Sequence, residues 1–220
     1  MRLALLGNLE AEELIVFFAG WAMDERPFHG LCGEETAVAV LYDYRDLELP
    51  EIPKGYSRVY ILAWSLGVYA ALKNLSSLDG EILFLAGTGA FSHPEFGIHP
   101  RVMNLTLKGL EERREKSLLA FYANMFSGEL GLEIFLENQP QRNLSEVVEE
   151  LKMAAERGPL FPSNFSKVRA VCTLRDRIVP FEAQLRYWER VGVPVRTLEA
   201  GHFPFYRFSS LKELFFREDV

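Results

Sequence analysis

One segment limits the fold more than any other: Val59-Tyr-Ile-Leu-Ala-Trp-Ser-Leu-Gly67 reads as a buried strand that runs straight into Ser65 and then into a helical stretch, Leu66 to Leu75. A strand-to-helix turn this tight holds the residue at its apex in a strained backbone conformation and leaves room only for small residues two positions before and after it. Those residues are Ala63 and Gly67. The usual pattern is G-x-S-x-G, and Ala63 in place of the first glycine still meets the steric demand. The turn also puts Ser65 at a helix N-terminus, where free N–H groups and the helix dipole favour an oxyanion, a geometry suited to acyl transfer. On the pentapeptide alone, Ser65 is either a nucleophile or an ordinary helix N-cap.

The surroundings of this turn are an alternation of short apolar runs and helical stretches. Leu14–Ala19, Ala37–Tyr42, Val59–Trp64, Ile82–Ala86, Val168–Leu174 and Val195–Leu198 are too short for typical helices and are bounded by Gly, Pro or charged residues, so six strands are expected. Their hydrophobicity is nearly continuous, as required of strands covered on both faces, which predicts a mostly parallel central sheet with helices on both faces. A long insert, approximately residues 92–165, interrupts the rhythm with helical patterns at Arg101–Phe126 and Leu144–Arg157; it has no linker character and no repeat, and Pro159, Pro162 and Ser163 mark its return. A helical cap on a single domain spanning residues 1–220 is therefore expected.

Composition narrows the class. Of 220 residues 49% are hydrophobic and 17 are Phe, which excludes a disordered chain. The longest apolar stretch, Ile82–Phe91, falls far short of the ~18 residues that span a bilayer, and Met1–Gly7 is too short for a secretory h-region of roughly 7–15 residues. A cytoplasmic protein with no membrane helix is expected. The net charge of −7 argues against non-specific nucleic-acid binding. Cys32 and Cys172 stand apart without metal-type spacing, so reduced buried thiols are expected, and neither phosphate loops nor His/Cys clusters call for a cofactor or metal.

Two loops at the ends of late strands carry the remaining chemistry. Arg175-Asp-Arg-Ile-Val-Pro180 places Asp176 before a new helix, and Glu199-Ala-Gly-His-Phe-Pro204 places His202 in a glycine-containing loop ahead of a helix at Ser209–Arg217. The chain order Ser65, Asp176, His202 is that of an α/β-hydrolase triad, with all three residues at one end of a parallel sheet. His202 would remove the Ser65 proton while Asp176 fixes the imidazole tautomer. His29, in an early helix, and His93 and His99, at the cap entrance, read as surface or packing residues. Asp176 has a rival role in ion pairs with Arg175 and Arg177, and Asp43 is a second possible acid. The oxyanion hole needs two N–H donors: Leu66 supplies the first, and Trp21, after Gly20 in Phe17-Phe-Ala-Gly-Trp-Ala-Met-Asp24, presents its N–H and a large apolar face as the second.

With these residues assembled, the chain resembles the α/β-hydrolase superfamily and, more narrowly, the BioG-type pimeloyl-acyl-carrier-protein methyl ester esterases of biotin synthesis. The resemblance runs through Phe18-Ala-Gly-Trp21, Tyr42-Asp-Tyr44 with Asp46-Leu47, Ala63-Trp-Ser65 with Gly67-Val68, Gly87-Thr-Gly89, Phe96-Gly-Ile98, Arg175-Asp176 and Gly201-His202. Ala22 and Met23 depart from the family's more glycine-rich stretch, and the cap matches least. The resemblance implies Ser65, Asp176 and His202 as the triad, Trp21 and Leu66 at the oxyanion hole, and an acyl carrier protein bearing pimeloyl methyl ester as partner and substrate. An apolar acyl slot is expected from Phe91, Leu118, Phe121, Tyr122, Met125 and Phe126 of the cap, with Trp21 and Leu66 at its floor, although the same spacing also describes core packing. Docking of an acidic carrier needs local positive charge, for which Arg113, Arg114 and Lys116 compete with Arg101, Lys108 and Arg142. A general short-chain carboxylesterase or thioesterase, and a non-catalytic protein retaining the fold, are the alternatives.

Overall fold

A computed structural model of the chain describes residues 1–163, 165 and 167–217. Seven strands form one sheet: β1 (Arg2–Gly7), β2 (Glu13–Phe18), β3 (Thr36–Tyr42), β4 (Arg58–Trp64), β5 (Glu81–Leu85), β6 (Val168–Thr173) and β7 (Val195–Leu198). Their order is β1-β3-β2-β4-β5-β6-β7, parallel throughout except for β1, which lies antiparallel on β3. The six expected strands are all present within a residue or so of their expected ends. β1 is the addition: an edge strand whose side chains are all at least partly exposed, so it carries no buried-strand signature.

Successive residues of β2, from Leu14 to Phe18, are at most 2% exposed, so both faces of the sheet are covered. Helices α1 (Leu66–Lys73) and α6 (Phe181–Val191) pack on its strands. The chain leaves β2 outward to β3 and then crosses back to β4, so the loops after β2 and β4 part at the carboxyl edge. That divergence is where open parallel sheets form a crevice.

The segment between β5 and β6 is helical: α2 (Pro100–Arg113), α3 (Glu115–Phe126), α4 (Leu132–Glu137) and α5 (Leu144–Glu156). The continuous pattern expected over Arg101–Phe126 is two helices, because Arg114 takes a positive φ of 46° and turns the chain between α2 and α3. His99 and Asn143 accept the Arg101 and Ser145 N–H groups and cap α2 and α5. The C-terminal helix expected over Ser209–Arg217 shrinks to α7 (Glu213–Phe216). Among the described residues no helix is long and apolar enough to cross a membrane.

Candidate active site

The turn after β4 is as tight as its sequence demands. Ser65 sits at φ 57°, ψ −123°, a conformation that costs a non-glycine residue on the order of 1–3 kcal/mol and is held here by the surrounding backbone. Its N–H donates to the Leu85 carbonyl of β5 at 3.1 Å. Helix α1 then starts directly against the end of β2: a Cβ on Gly67 would collide with the Phe18 carbonyl and lie 2.5 Å from that of Ala19. Only glycine lets the two elements approach this closely.

Three side chains meet above the carboxyl edge. Ser65 Oγ lies 2.8 Å from His202 Nε2, and His202 Nδ1 lies 2.7 Å from Asp176 Oδ2. A carboxylate only accepts, so Nδ1 carries the ring proton and Nε2 is left to accept from the serine hydroxyl. Asp176 is itself held by four further donors: the Ile178 and Val179 N–H groups at 2.8 and 2.9 Å on Oδ1, and Thr173 Oγ1 and Gln184 Nε2 at 2.9 and 3.0 Å on Oδ2. The His202 loop is fixed through its backbone. Its carbonyl accepts from the Trp64 indole at 2.7 Å, and the Phe203 N–H donates to Met125 O at 3.1 Å. Ser65 is 5% exposed and His202 is fully buried.

The rival assignments take other places. Asp43 is bound by Arg45 at 2.8 Å and has no hydrogen bond to His202; burial acts to raise its pKa, but the guanidinium groups of Arg45, Arg142 and Arg2 outweigh it and hold the carboxyl below its usual range. His93 Nδ1 accepts from the Glu95 and Phe96 N–H groups, His99 caps α2, and His29 is exposed in a 3₁₀ turn at Arg26–Leu31. Burial pushes the Cys32 thiol up to about 11 and the Cys172 thiol up to about 12, so neither is a thiolate near neutral pH. Among the described residues no group of three or more His, Cys, Asp or Glu is arranged to hold a metal ion.

The expected oxyanion donors separate into backbone and side chain. The Trp21 indole N–H is not available, because it donates to the Val147 carbonyl of α5 at 2.8 Å in a buried contact. The backbone N–H groups of Trp21 and Leu66 have no hydrogen-bond partner among the described residues. An acyl oxygen presented to Ser65 would meet donors there and a base on the hydroxyl, the combination that acyl transfer requires.

Ser65 opens into a cavity of about 280 Å³, just below the usual range of ligand pockets, about 300–1,000 Å³. Trp21, Phe91 and Phe121 line it as expected, together with Ile98, Val102, Met103 and Leu105 before and along α2. Leu66, Leu118, Tyr122, Met125 and Phe126 do not line it. On α3 the cavity face is Ser117, Ala120, Phe121 and Asn124, at i, i+3, i+4 and i+7, whereas Tyr122, Met125 and Phe126 point the other way and are at most 2% exposed. The Tyr122 and Phe126 rings pack on Phe135, and Met125 contributes its carbonyl to the His202 loop. Of the α3 residues expected in the slot, only Phe121 lines it; Tyr122, Met125 and Phe126 follow the alternative of core packing. Arg113 and Arg177 also line the cavity, with exposed side chains and no ion-pair partner among the described residues. Arg142 is excluded as a docking residue: its side chain is 2% exposed and paired with Glu150. Arg114 and Lys108 are paired with Glu115 and Glu112.

The chain is similar in sequence and shape to known proteins. A family model described as pimeloyl-ACP methyl esterase BioG matches residues 5–214. The chain is 30% identical over 197 residues to a malonyl-[acyl-carrier protein] O-methyltransferase of Bacteroides fragilis (strain 638R), aligning 87% of its own length but only 40% of that relative's. It is 27% identical over 206 residues to an uncharacterised Haemophilus influenzae protein, covering 92% and 94% of the two chains. The crystal structure of BioG from Haemophilus influenzae superposes with a TM-score of 0.83 at 26% identity, over 97% of this chain and 99% of that one. An esterase from Exiguobacterium antarcticum shares the fold, with a TM-score of 0.73 at 15% identity over 97% and 91%.

Proposed function

The chain belongs to the BioG family of pimeloyl-ACP methyl esterases, and from that premise we propose that it is a serine esterase that hydrolyses the methyl ester of a pimeloyl chain carried on acyl carrier protein. The observation that supports this reading most directly is the hydrogen-bonded relay Ser65–His202–Asp176 at the end of a largely apolar cavity.

In this mechanism the ester carbonyl lies against Ser65 with its oxygen towards the backbone N–H groups of Trp21 and Leu66. Ser65 Oγ attacks the carbonyl carbon as His202 Nε2 takes the hydroxyl proton, and Asp176 stabilises the imidazolium that forms. Collapse of the tetrahedral intermediate breaks the bond to the methoxy oxygen, which leaves as methanol with the proton from His202. A water then loses a proton to His202 and attacks the acyl-enzyme, and Ser65 departs with that proton. The product is the free carboxylate.

The apolar lining favours this substrate over its product. An ester group enters an apolar slot at little cost, whereas a carboxylate loses hydration there unless it reaches a charged or hydrogen-bonding partner. The helices between β5 and β6 act as the cap of a single domain, and the carrier protein docks outside it.

The test compares purified protein on pimeloyl methyl ester bound to carrier protein with free short-chain methyl esters and thioesters, together with fluorophosphonate labelling. The expected result is preferential turnover of the carrier-bound ester and label on Ser65. Preference for free esters or thioesters would replace the substrate with a general one. An unlabelled Ser65 in folded protein would point to a non-catalytic binding protein.

A further inference from the structure

The segment from Ala19 to Asp24, which carries the Trp21 N–H, does little to hold itself. Among the described residues its backbone donates only from Ala19 to Leu41 O and, at 3.4 Å, from Met23 to Gly20 O, and Ala22 sits at a positive φ of 64°. Arg26 holds the Asp24 carboxylate from within the same loop and Tyr44 Oη holds Ala19 O, and the helical insert supplies four more restraints. The Trp21 indole donates to Val147 O at 2.8 Å, Tyr122 Oη to Ala22 O at 3.4 Å, Arg142 Nη1 to Met23 O at 3.4 Å, and the Gln141 N–H to Asp24 Oδ2 at 2.8 Å.

These restraints converge on one buried ion pair. Glu150, fully buried on α5, holds Arg142 Nη1 at 2.6 Å with Oε2 and accepts the Tyr44 N–H at 2.7 Å with Oε1. Tyr44 Oη donates to Ala19 O at 2.9 Å, and Arg142 Nη2 lies 3.1 Å from Asp43 Oδ1. Val147, which holds the Trp21 indole, is one helical turn before Glu150. The pair thus ties α5 to both ends of the Ala19–Asp24 segment. As a source of stability it is poor, because two charges removed from water commonly do no better than well-packed apolar side chains of the same volume. Its value lies in fixed geometry.

We infer that Arg142 and Glu150 are positioning residues: through α5 and the Met23 carbonyl they set the Trp21 backbone N–H where the tetrahedral oxyanion forms, so the insert completes the active site. This rests on the esterase reading proposed above. A purely structural anchor would affect folding, and hence activity, only by loosening the insert. A positioning pair affects transition-state stabilisation in protein that remains folded.

The experiment uses the full chain with Glu150→Gln, Arg142→Met and the apolar double variant Arg142→Met/Glu150→Met. Each is measured for Tm, for kcat and KM on a free methyl ester, and for Ki of a trifluoromethyl ketone. Ser65 adds to that ketone and passes its proton to His202, giving a hemiketal oxyanion in the same hole. Removal of one oxyanion donor costs about 10²–10³ in kcat, and misplacement of one is expected to cost roughly 10–100-fold. The expected result is a double variant with Tm near wild type, unchanged KM, and kcat lowered and Ki raised by the same factor. Glu150→Gln, which conserves shape, shows a smaller loss of the same kind and keeps the test valid if the double variant does not fold. Folded variants with wild-type kcat and Ki overturn the inference and leave the esterase reading intact. Wild-type protein that neither turns over the ester nor binds the ketone overturns the reading itself, and the inference with it.

Discussion

The floor of the site and the helices above it are built in different ways. The floor is fixed by backbone: Ser65 at positive φ, Gly67 against the Phe18 and Ala19 carbonyls, and Asp176 held by two N–H groups and two buried side chains. The insert is fixed by side chains, through the Phe135 cluster and the Arg142–Glu150 pair, and the face it turns to the cavity leaves Val102 and Leu105 51% and 68% exposed. Backbone constraint tolerates almost no substitution, whereas a half-exposed helix face can change residues without losing its helix. Under the function proposed above, chemistry belongs to the first region and choice of substrate to the second.

The sharpest way to break this division is at the floor. Ser65→Ala or His202→Ala is expected to lower kcat by about 10⁶, the loss seen when one member of a cooperating triad is removed, with an unchanged circular-dichroism spectrum. Near-normal turnover by Ser65→Ala would remove the covalent mechanism. Asp176→Asn should cost less, about 10⁴, by disturbing the imidazole tautomer. Gln184→Met, which removes one donor from Asp176 while preserving volume, should cost roughly tenfold or more in kcat with little change in KM; losing a hydrogen bond to a charged group is worth about 1.5–3 kcal/mol. Gly67→Ala tests the floor through stability. The added methyl meets two carbonyls that cannot withdraw, so a loss at the upper end of the usual 1–3 kcal/mol for overpacking is expected from denaturant unfolding.

The same division governs what the sequence discloses. A strand buried on both faces has to be continuously apolar, and a strand-to-helix elbow has to be small-x-Ser-x-small, so β2 to β6 and the Ser65 turn are legible within a residue or so, whereas β7, an edge strand with Arg196 and Thr197 exposed, is marked only by its apolar ends. Asp176 and His202 are legible because each follows a strand at one edge, and the parallel sheet brings those edges together. The insert lacks such rules. The break at Arg114 has no glycine or proline to announce it, and on the cavity face of α3 only Phe121 is a large hydrophobe, with Ser117, Ala120 and Asn124 giving no apolar signal beside it. Large hydrophobes such as Tyr122 and Met125 mark the core face of a helix as readily as a slot, and here they mark the core. The Trp21 indole is a related case: residue type suggests a pocket donor, but α5 consumes its N–H. The Arg142–Glu150 pair joins a loop to a helix turn eight residues on and then to the loops after β2 and β3 across more than a hundred residues, a relation that local pattern does not encode.

Substitutions in the insert should sharpen the comparison by moving specificity and sparing chemistry. Phe121→Ala, which opens the cavity beside Trp21, is expected to raise KM for the pimeloyl ester by several-fold to tenfold and to leave kcat on a two-carbon ester nearly unchanged, since lost apolar contact in a pocket is worth about 1–3 kcal/mol. Equal loss on both esters would place Phe121 with the floor.

The smallest effect is expected from the two arginines on the cavity wall. Arg113 comes from the end of α2 and Arg177 from the loop beside Asp176, so they sit on opposite sides of the division, yet both are exposed and unpaired among the described residues. A chain of net charge −7 that approaches an acidic carrier needs positive charge near the point of entry. Charges at such a rim act mainly on the rate of encounter and its salt dependence. Arg113→Gln and Arg177→Gln are therefore expected to lower kcat/KM for the carrier-bound ester a few-fold each at low ionic strength. The difference should shrink as salt is raised and vanish on a free ester. A loss that is independent of salt and shared by the free ester would mean that these side chains touch the acyl group itself, and the boundary between choice and chemistry would then run through the cavity rather than between floor and insert.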